Sequence, residues 1–394
     1  MADTTPGTMM EQLLAVEPAI VIGAGAAGLA VARALMKAGV ATVVLEKESR
    51  LAEPWRRRHE QLHLNTHRDL SALPGLTYPK GTPAFPHRDV VIRHMNDFHE
   101  ANHLPVEFGI SVEAIIPGGD HWIVRTSAGS RLARHVVVAT GRDREPYTPQ
   151  WKGMEAFAGR IIHSADFGDA HTYAGKKVLV VGAGNSGFDA LNHLAGIDTA
   201  AIWLSARNGP ALLPKRIGKI AVHRLSPFMA RLPLRVADAV MAVTQRLVFG
   251  DLTKFGMPRA PAGGASRLTS DYTAIAADDG AVKAIKSGRI LVVPGIREFT
   301  RDGVMLANGS LIAPDIVIAA TGYRTGLERM VGNLGVLDEK GVPLFNGGQA
   351  DPKLPGLWFT GMRPSIRGCF ANAGILAKAI ARRIAGPGQP GTSR

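Results

Sequence analysis

The sequence predicts an α/β fold made of two Rossmann-like dinucleotide-binding domains, the second inserted into the first. Three observations carry this. The apolar run Ala19–Ile22 enters a turn with Gly23, Gly25 and Gly28 in G-x-G-x-x-G spacing, and Lys177–Val181 enters Gly182, Gly184 and Gly187 in the same spacing. Each turn is followed by a helical apolar stripe and then another strand-like run. Two further strand-like runs end in matching Ala-Thr-Gly turns, at 139–141 and at 320–322. A glycine turn of this spacing lets backbone N–H groups at a helix N-terminus meet a pyrophosphate, so two of them imply two dinucleotides.

In the first unit, residues 17–48 read as strand, turn, helix and a second strand, Thr42–Leu45, that ends in Glu46. An acid about 20 residues past the glycines accepts both ribose hydroxyls of an adenosine. It also repels a 2′-phosphate, by roughly 3 kcal/mol at ~5 Å and an effective dielectric of ~20, so this site takes FAD or NAD. Residues 51–76 show no clean period but hold Trp55, Asn65 and Thr66 among many polar groups. Residues 104–141 read as short strands, and Val136–Ala139 with Thr140 and Gly141 closes the first domain.

The second unit repeats the pattern with the sign reversed. After Gly187 come a helix over 188–196 and a strand over 199–204, and the place comparable to Glu46 holds Ser205 and Arg207. A guanidinium and a hydroxyl suit a 2′-phosphate, so this site is expected to prefer NADPH. The strand Ile316–Ala320 and the turn Thr321-Gly322-Tyr323 close this unit as Thr140-Gly141 closes the first, and the two turns read as hinges. A strand over 356–362 and a helix over 371–384 return to the first domain. The expected division is 17–148 with 324–386 for the first domain and 149–323 for the second. A basic and apolar insert spans 211–270, with disordered tails at 1–16 and 387–394.

At 394 residues the chain exceeds the ~250–300 at which single cores stop growing. A single cysteine, Cys369, forbids an internal disulfide, excludes a dithiol reductase and fits a reducing cytoplasm. The N-terminus lacks the basic head and apolar run of a signal peptide, and no apolar stretch reaches the ~18 residues that span a bilayer. A net charge of +13 raises nucleic acid as a partner, yet no such motif is present, and two polyanionic cofactors account for a basic balance. Residues 205–267 hold eleven Lys or Arg against Asp238 and Asp251. Three readings stay open for them: a cover over the substrate entrance that attracts an anion, a contact with anionic lipid, or a solvated helical face.

Phe157, Gly159, His163 and Phe167, in the order F-x-G-x-x-x-H-x-x-x-F, together with GAGAAG, GAGNSG and AATGY, resemble in order and spacing the class B flavin-dependent monooxygenases. The similarity runs from about Ala19 to about Ile384. ALLPKRIGK, VFGDLTKFGMPR and AIKSGRILVVPGI look most like the plant YUCCA branch and its bacterial relatives. The resemblance implies a two-dinucleotide-binding flavoprotein fold in which Gly23, Gly25, Gly28 and Glu46 hold FAD, with Trp55, Asn65, Thr66, Val112, Thr140 and Gly141 lining the flavin site. It places NADPH on Gly182, Gly184, Asn185, Ser186, Gly187, Asp189, Ser205 and Arg207. No metal is implied.

The implied chemistry is hydride transfer from NADPH to the flavin, capture of dioxygen as a C(4a)-hydroperoxyflavin, and transfer of one oxygen to a small organic substrate. Asn65 is the candidate catalytic residue, because an amide donates a hydrogen bond without a titrating proton. His163 is expected to be structural. The substrate is either a 2-oxo acid such as indole-3-pyruvate or a soft nitrogen or sulfur nucleophile. A rival class is an NADPH oxidase or flavin reductase that oxygenates no substrate. Two departures stand out: Glu53-Pro54 replaces the glycine pair usual before the tryptophan, and the YUCCA branch commonly lacks the Asn found at 65. Phe167 stands where the related Baeyer–Villiger enzymes carry Trp, which weighs against ketone-to-ester chemistry.

Overall fold

A computed structural model describes residues 15–386. The first strand, β1 (Val16–Ile22), starts earlier than its apolar run, so Val16 belongs to a sheet and not to the expected lead. The remainder of that lead and the expected C-terminal tail, 387–394, lie outside the described residues. β1 passes through the first glycine turn into α1 (Ala26–Lys37) and returns as β2 (Thr42–Glu46), parallel to β1 with Ile20 beside Val43. A loop over 47–87, carrying short helical turns at Glu53–Arg56 and Arg68–Leu70, leads to α2 (Arg88–Ala101) and the edge strand β3 (Val106–Phe108). The strands β4 (Val112–Pro117), β5 (Trp122–Thr126) and β6 (Gly129–Val138) form an antiparallel meander, and β6 then lies parallel to β1.

The chain crosses over at Glu145–Pro146. The edge strand β7 (Arg160–His163) precedes β8 (Lys177–Val181), whose apolar run is buried on both faces as parallel strands require. After the second glycine turn comes α3 (Asn185–Leu194), which opens and ends earlier than its sequence pattern implied, then β9 (Ala201–Ser205). The segment between β9 and the parallel strand that follows holds a small hairpin at 216–221, a helical turn at Ser226–Met229, α4 (Leu234–Phe249) and a helix at Gly264–Ser270. β10 (Ile290–Val293) and β11 (Ile316–Ala319) complete a parallel sheet of order β10-β9-β8-β11-β7. Leu179 and Phe188 are fully buried there, each contributing about 1.5–3 kcal/mol by leaving water.

Tyr323–Arg324 returns the chain and pairs antiparallel with Glu145–Pro146, so the two crossings touch. β12 (Leu357–Phe359) then joins the first sheet beside the second half of β6, with Trp358 opposite Val137. α5 (Cys369–Ala385) lies along α1, burying Phe370, Ala377 and Ile380 with Leu29, Val31 and Leu35. The first sheet thus takes strands from both ends of the described chain and the second from its middle.

Candidate active site

The two glycine turns are near copies. Gly23 and Gly182 hold φ of +99° and +111°, and a Cβ on either would press on the carbonyl oxygen of Ala139 at 3.0 Å or Ala320 at 2.5 Å. Gly28 and Gly187 bring their helices onto the turns, since a Cβ there would stand 1.8 and 1.9 Å from the carbonyl oxygens of Gly23 and Gly182. Gly25 and Gly184 differ. Nothing lies within 4 Å of a Cβ built on them, and both are extended N-cap residues without a side-chain cap. The first turns of α1 and α3 therefore point unpaired N–H groups into open space, which is where an anion binds. No protein atom therefore requires glycine at either position.

The copies part at the strand ends. At the end of β2, the Glu46 carboxylate accepts the N–H of Ala24 at 2.7 Å and of Glu48 at 3.0 Å, which fixes it over the turn with lone pairs to spare. At the end of β9, Ser205 is buried and donates its hydroxyl to Pro294 O at 2.9 Å. In this arrangement its proton points to that loop. Arg207 is exposed and lays its stem against Gly295.

Both turns open into one cavity of about 1570 Å³. Glu46, Trp55, Asn65, Thr66, Val112, Thr140 and Gly141 line it from one side, and Asn185, Ser186, Asp189 and Arg207 from the other. Gly28 and Gly187 lie beneath their turns, outside the lining. Thr140 carries a buried hydroxyl with no protein partner. Asn65 donates from Nδ2 to Asn185 Oδ1 at 2.9 Å, leaving one amide hydrogen unassigned, and its Oδ1 is buried without a partner. The Asp189 carboxylate meets His59 Nε2 at 3.0 Å, with His193 behind it. Burial holds the His193 imidazole below its ordinary range.

The pyridine nucleotide-disulphide oxidoreductase family matches residues 20–211. An indole-3-pyruvate monooxygenase of rice, YUCCA1, is 34% identical over 324 residues, covering 81% of this chain and 80% of that protein. The chain is a class B flavin-dependent monooxygenase. Among solved structures, the flavin-containing monooxygenase of Stenotrophomonas maltophilia superposes with a TM-score of 0.72 at 24% identity, over 93% of this chain and 97% of that one. A complex of OTEMO with FAD and NADP gives a TM-score of 0.67 at 17% identity, over 94% of this chain and 84% of that one. A flavin and a nicotinamide cofactor belong to this monooxygenase, and the lone cysteine leaves it without a dithiol of its own.

The fingerprint of the monooxygenase is a wedge between crossings. His163 ends β7; its Nδ1 accepts the Ala165 N–H and its Nε2 donates to Gly322 O, each at 3.0 Å. With both ring nitrogens occupied, His163 holds the return crossing and has nothing left for chemistry. A Cβ on Gly159 would stand 2.9 Å from the backbone Asp315 O as well as against the Phe157 ring, and Phe167 stacks on Tyr173 at 5.1 Å. The Glu53-Pro54 departure is absorbed locally. Pro54 occupies the first turn of the helix at Glu53–Arg56, and Ala52 before it takes a left-handed φ of 60°.

Three contributors escaped the sequence reading. The uncapped N-terminus of α5 at Gly368 borders the cavity, where a Cβ would meet Thr66 at 2.9 Å. His223, from the insert, accepts the His67 N–H at 3.1 Å, and burial with neighbouring His67 pushes it down to about 4. Arg363 lies 5.6 Å over the Tyr272 ring and donates to Pro343 O at 2.6 Å, with no carboxylate partner among the described residues. A glycine just ahead of the apolar period at 371–384 was the available signal for α5; the other two contacts are purely tertiary.

Proposed function

We propose that this monooxygenase holds FAD on its first glycine turn and NADPH on its second, and oxygenates a small apolar 2-oxo acid of the indole-3-pyruvate kind. The observation that carries the reading is the joint lining of the cavity. The insert supplies Leu225, Met229, Val240 and Met241, while Arg363, with no carboxylate partner among the described residues, brings positive charge to the same space. The rice relative is named for indole-3-pyruvate. An apolar ring and a carboxylate match such walls. The overall change is 2-oxo acid, NADPH, dioxygen and a proton to the shortened acid, carbon dioxide, NADP⁺ and water.

When bound, the flavin supplies dioxygen activation after reduction by the nicotinamide. The chain supplies the rest. N–H groups of α1 and α3 meet the pyrophosphates, Glu46 accepts from a ribose and rejects a 2′-phosphate, and Arg207 attracts one. Asn65, fixed by Asn185, offers a neutral donor at the meeting of the two units, and the insert keeps water from that point. The touching crossings at Glu145–Pro146 and Tyr323–Arg324 serve as the boundary about which the two units, 17–148 with 324–386 and 149–323, adjust. A second reading, a soft amine or sulfide as substrate, draws on Asn65 itself, which the YUCCA branch commonly lacks.

The test is NADPH consumption with product mass spectra for a 2-oxo acid, an amine and a sulfide. Carbon dioxide released in step with NADPH supports the first reading. An N- or S-oxide supports the second, and hydrogen peroxide in step with NADPH for every compound rejects both in favour of an oxidase.

A further inference from the structure

We propose that the hairpin at 216–221, the helical turn Ser226–Met229 and the outward side of α4 form a docking face for an anionic lipid surface, bordering the mouth of the active-site cavity. α4 is apolar on both sides. Inward, Ala237 and Met241 pack with Leu213, Met229 and Ile275. Outward, Val236, Val240, Val243 and Leu247 repeat at helical spacing, with Leu247 80% and Val243 57% exposed. A helix with two apolar stripes is normally covered on both, and an apolar patch of this extent marks a partner. Beside it Phe228 is 63% and Ile220 61% exposed, and Ile217 and Leu225 are exposed as well. Ile217, Leu225 and Val240 also line the cavity, so the apolar face reaches its rim.

Charge decides the occupant. Neither acid of the segment offsets its outer surface: Asp238 accepts the N–H groups of Ala265 at 2.7 Å and Ser266 at 3.1 Å, and Asp251 pairs with Arg246 at 3.1 Å. Arg216, Lys219, Arg231 and Arg235 are exposed and have no carboxylate partner among the described residues, Lys219 standing at the hairpin tip between Ile217 and Ile220. A second copy packed about a two-fold axis sets this patch against itself and brings those cations together. An anionic bilayer meets them with opposite charge while the apolar side chains enter the acyl boundary. No helix among the described residues is long and apolar enough to cross a membrane.

The test is flotation of the full-length, flavin-loaded protein with vesicles of phosphatidylcholine alone and of phosphatidylcholine with phosphatidylglycerol. Binding is expected to the anionic vesicles and to weaken with salt. Leu247→Asp is expected to lower partition about tenfold or more, and Lys219→Glu and Arg235→Glu about fivefold or more each. Flavin content, melting temperature and NADPH oxidation in solution stay unchanged in these variants, which separates loss of docking from loss of fold. No binding to anionic vesicles, binding indifferent to all three substitutions, or a dimer by light scattering that Leu247→Asp dissociates overturns the proposal.

Discussion

Gly184→Ala and Gly187→Ala are neighbouring substitutions for which the structure predicts opposite outcomes. At Gly187 a methyl carbon would stand 1.9 Å from Gly182 O, well inside contact, so α3 must back away from the turn. Forced overpacking of this kind costs about 1–3 kcal/mol or more. At Gly184 the backbone is extended, φ −79° and ψ −170°, and a methyl group meets nothing within 4 Å. Alanine fits that conformation, so the unliganded fold should change by no more than about 0.5 kcal/mol. The methyl group does, however, occupy the approach to the N–H groups of α3. Losing two charge-assisted hydrogen bonds of about 1.5–3 kcal/mol each should weaken NADPH by about a hundredfold or more. The assay pairs thermal melting with anaerobic flavin reduction at varied NADPH. Gly184→Ala should melt like the parent, keep its flavin and lose NADPH affinity; Gly187→Ala should melt lower. If Gly184→Ala binds NADPH within about threefold of the parent, or is as unstable as Gly187→Ala, the argument from open space at the middle glycine is wrong.

Arg207→Ala should raise the Michaelis constant for NADPH about five- to tenfold and leave that for NADH unchanged, a modest figure because the guanidinium is exposed; steady-state kinetics with both nucleotides decide it. Asn65→Ala should cost ~10²–10³ in oxygen transfer while flavin reduction by NADPH stays near the parent rate and peroxide release rises; stopped-flow absorbance with peroxide determination reads both, and unchanged coupling refutes the role. His223 has a folded-state value of about 4 against an ordinary 6.5, so the unfolded chain binds more protons between those limits. Its contribution to stability is complete above pH 6.5 and is lost as the pH falls towards 4, by up to about 3 kcal/mol; His223→Gln should flatten the melting temperature over that range. Ala52→Gly relieves a left-handed alanine at φ 60° and should stabilise by about 0.5–1 kcal/mol in denaturant titrations.

Much of the architecture was legible because parallel, doubly covered strands must be apolar throughout, and Lys177–Val181 is such a run placed against three glycines. Val16 is not legible because it stays exposed and owes its place in the strand to pairing with Leu132 alone, and Glu17 beside it looks like loop. The first turn of α3, Asn185–Gly187, is not legible as helix because its residues are poor helix formers. Glu46 was legible as a strand-end acid, but Ser205 was not legible as a structural donor, since nothing local announces its bond to Pro294. α4 reads as an ordinary amphipathic helix only until its outward valines are counted.

The loop after Trp55 explains why Asn65 can be tested cleanly. Within a few residues it makes polar contacts with the second unit four times over: Arg58 with Tyr323 OH, His59 with Asp189, Gln61 with Asp169 at 2.6 Å and with the Ala170 N–H at 3.2 Å, and Asn65 with Asn185. Arg58 also lies 4.9 Å over the Tyr323 ring, on the return crossing. Removing the Asn65 amide therefore leaves three other side chains holding the loop against the second unit. The relative placement of the two turns, on which hydride transfer depends, should persist. A variant that reduces its flavin normally yet fails to oxygenate thus isolates the loss at the amide. A variant defective in both steps instead points to the loop as a spacer, and His59→Ala, which leaves the Asn65 amide in place and breaks the contact to Asp189 one helical turn from Asn185, should then reproduce the defect in flavin reduction.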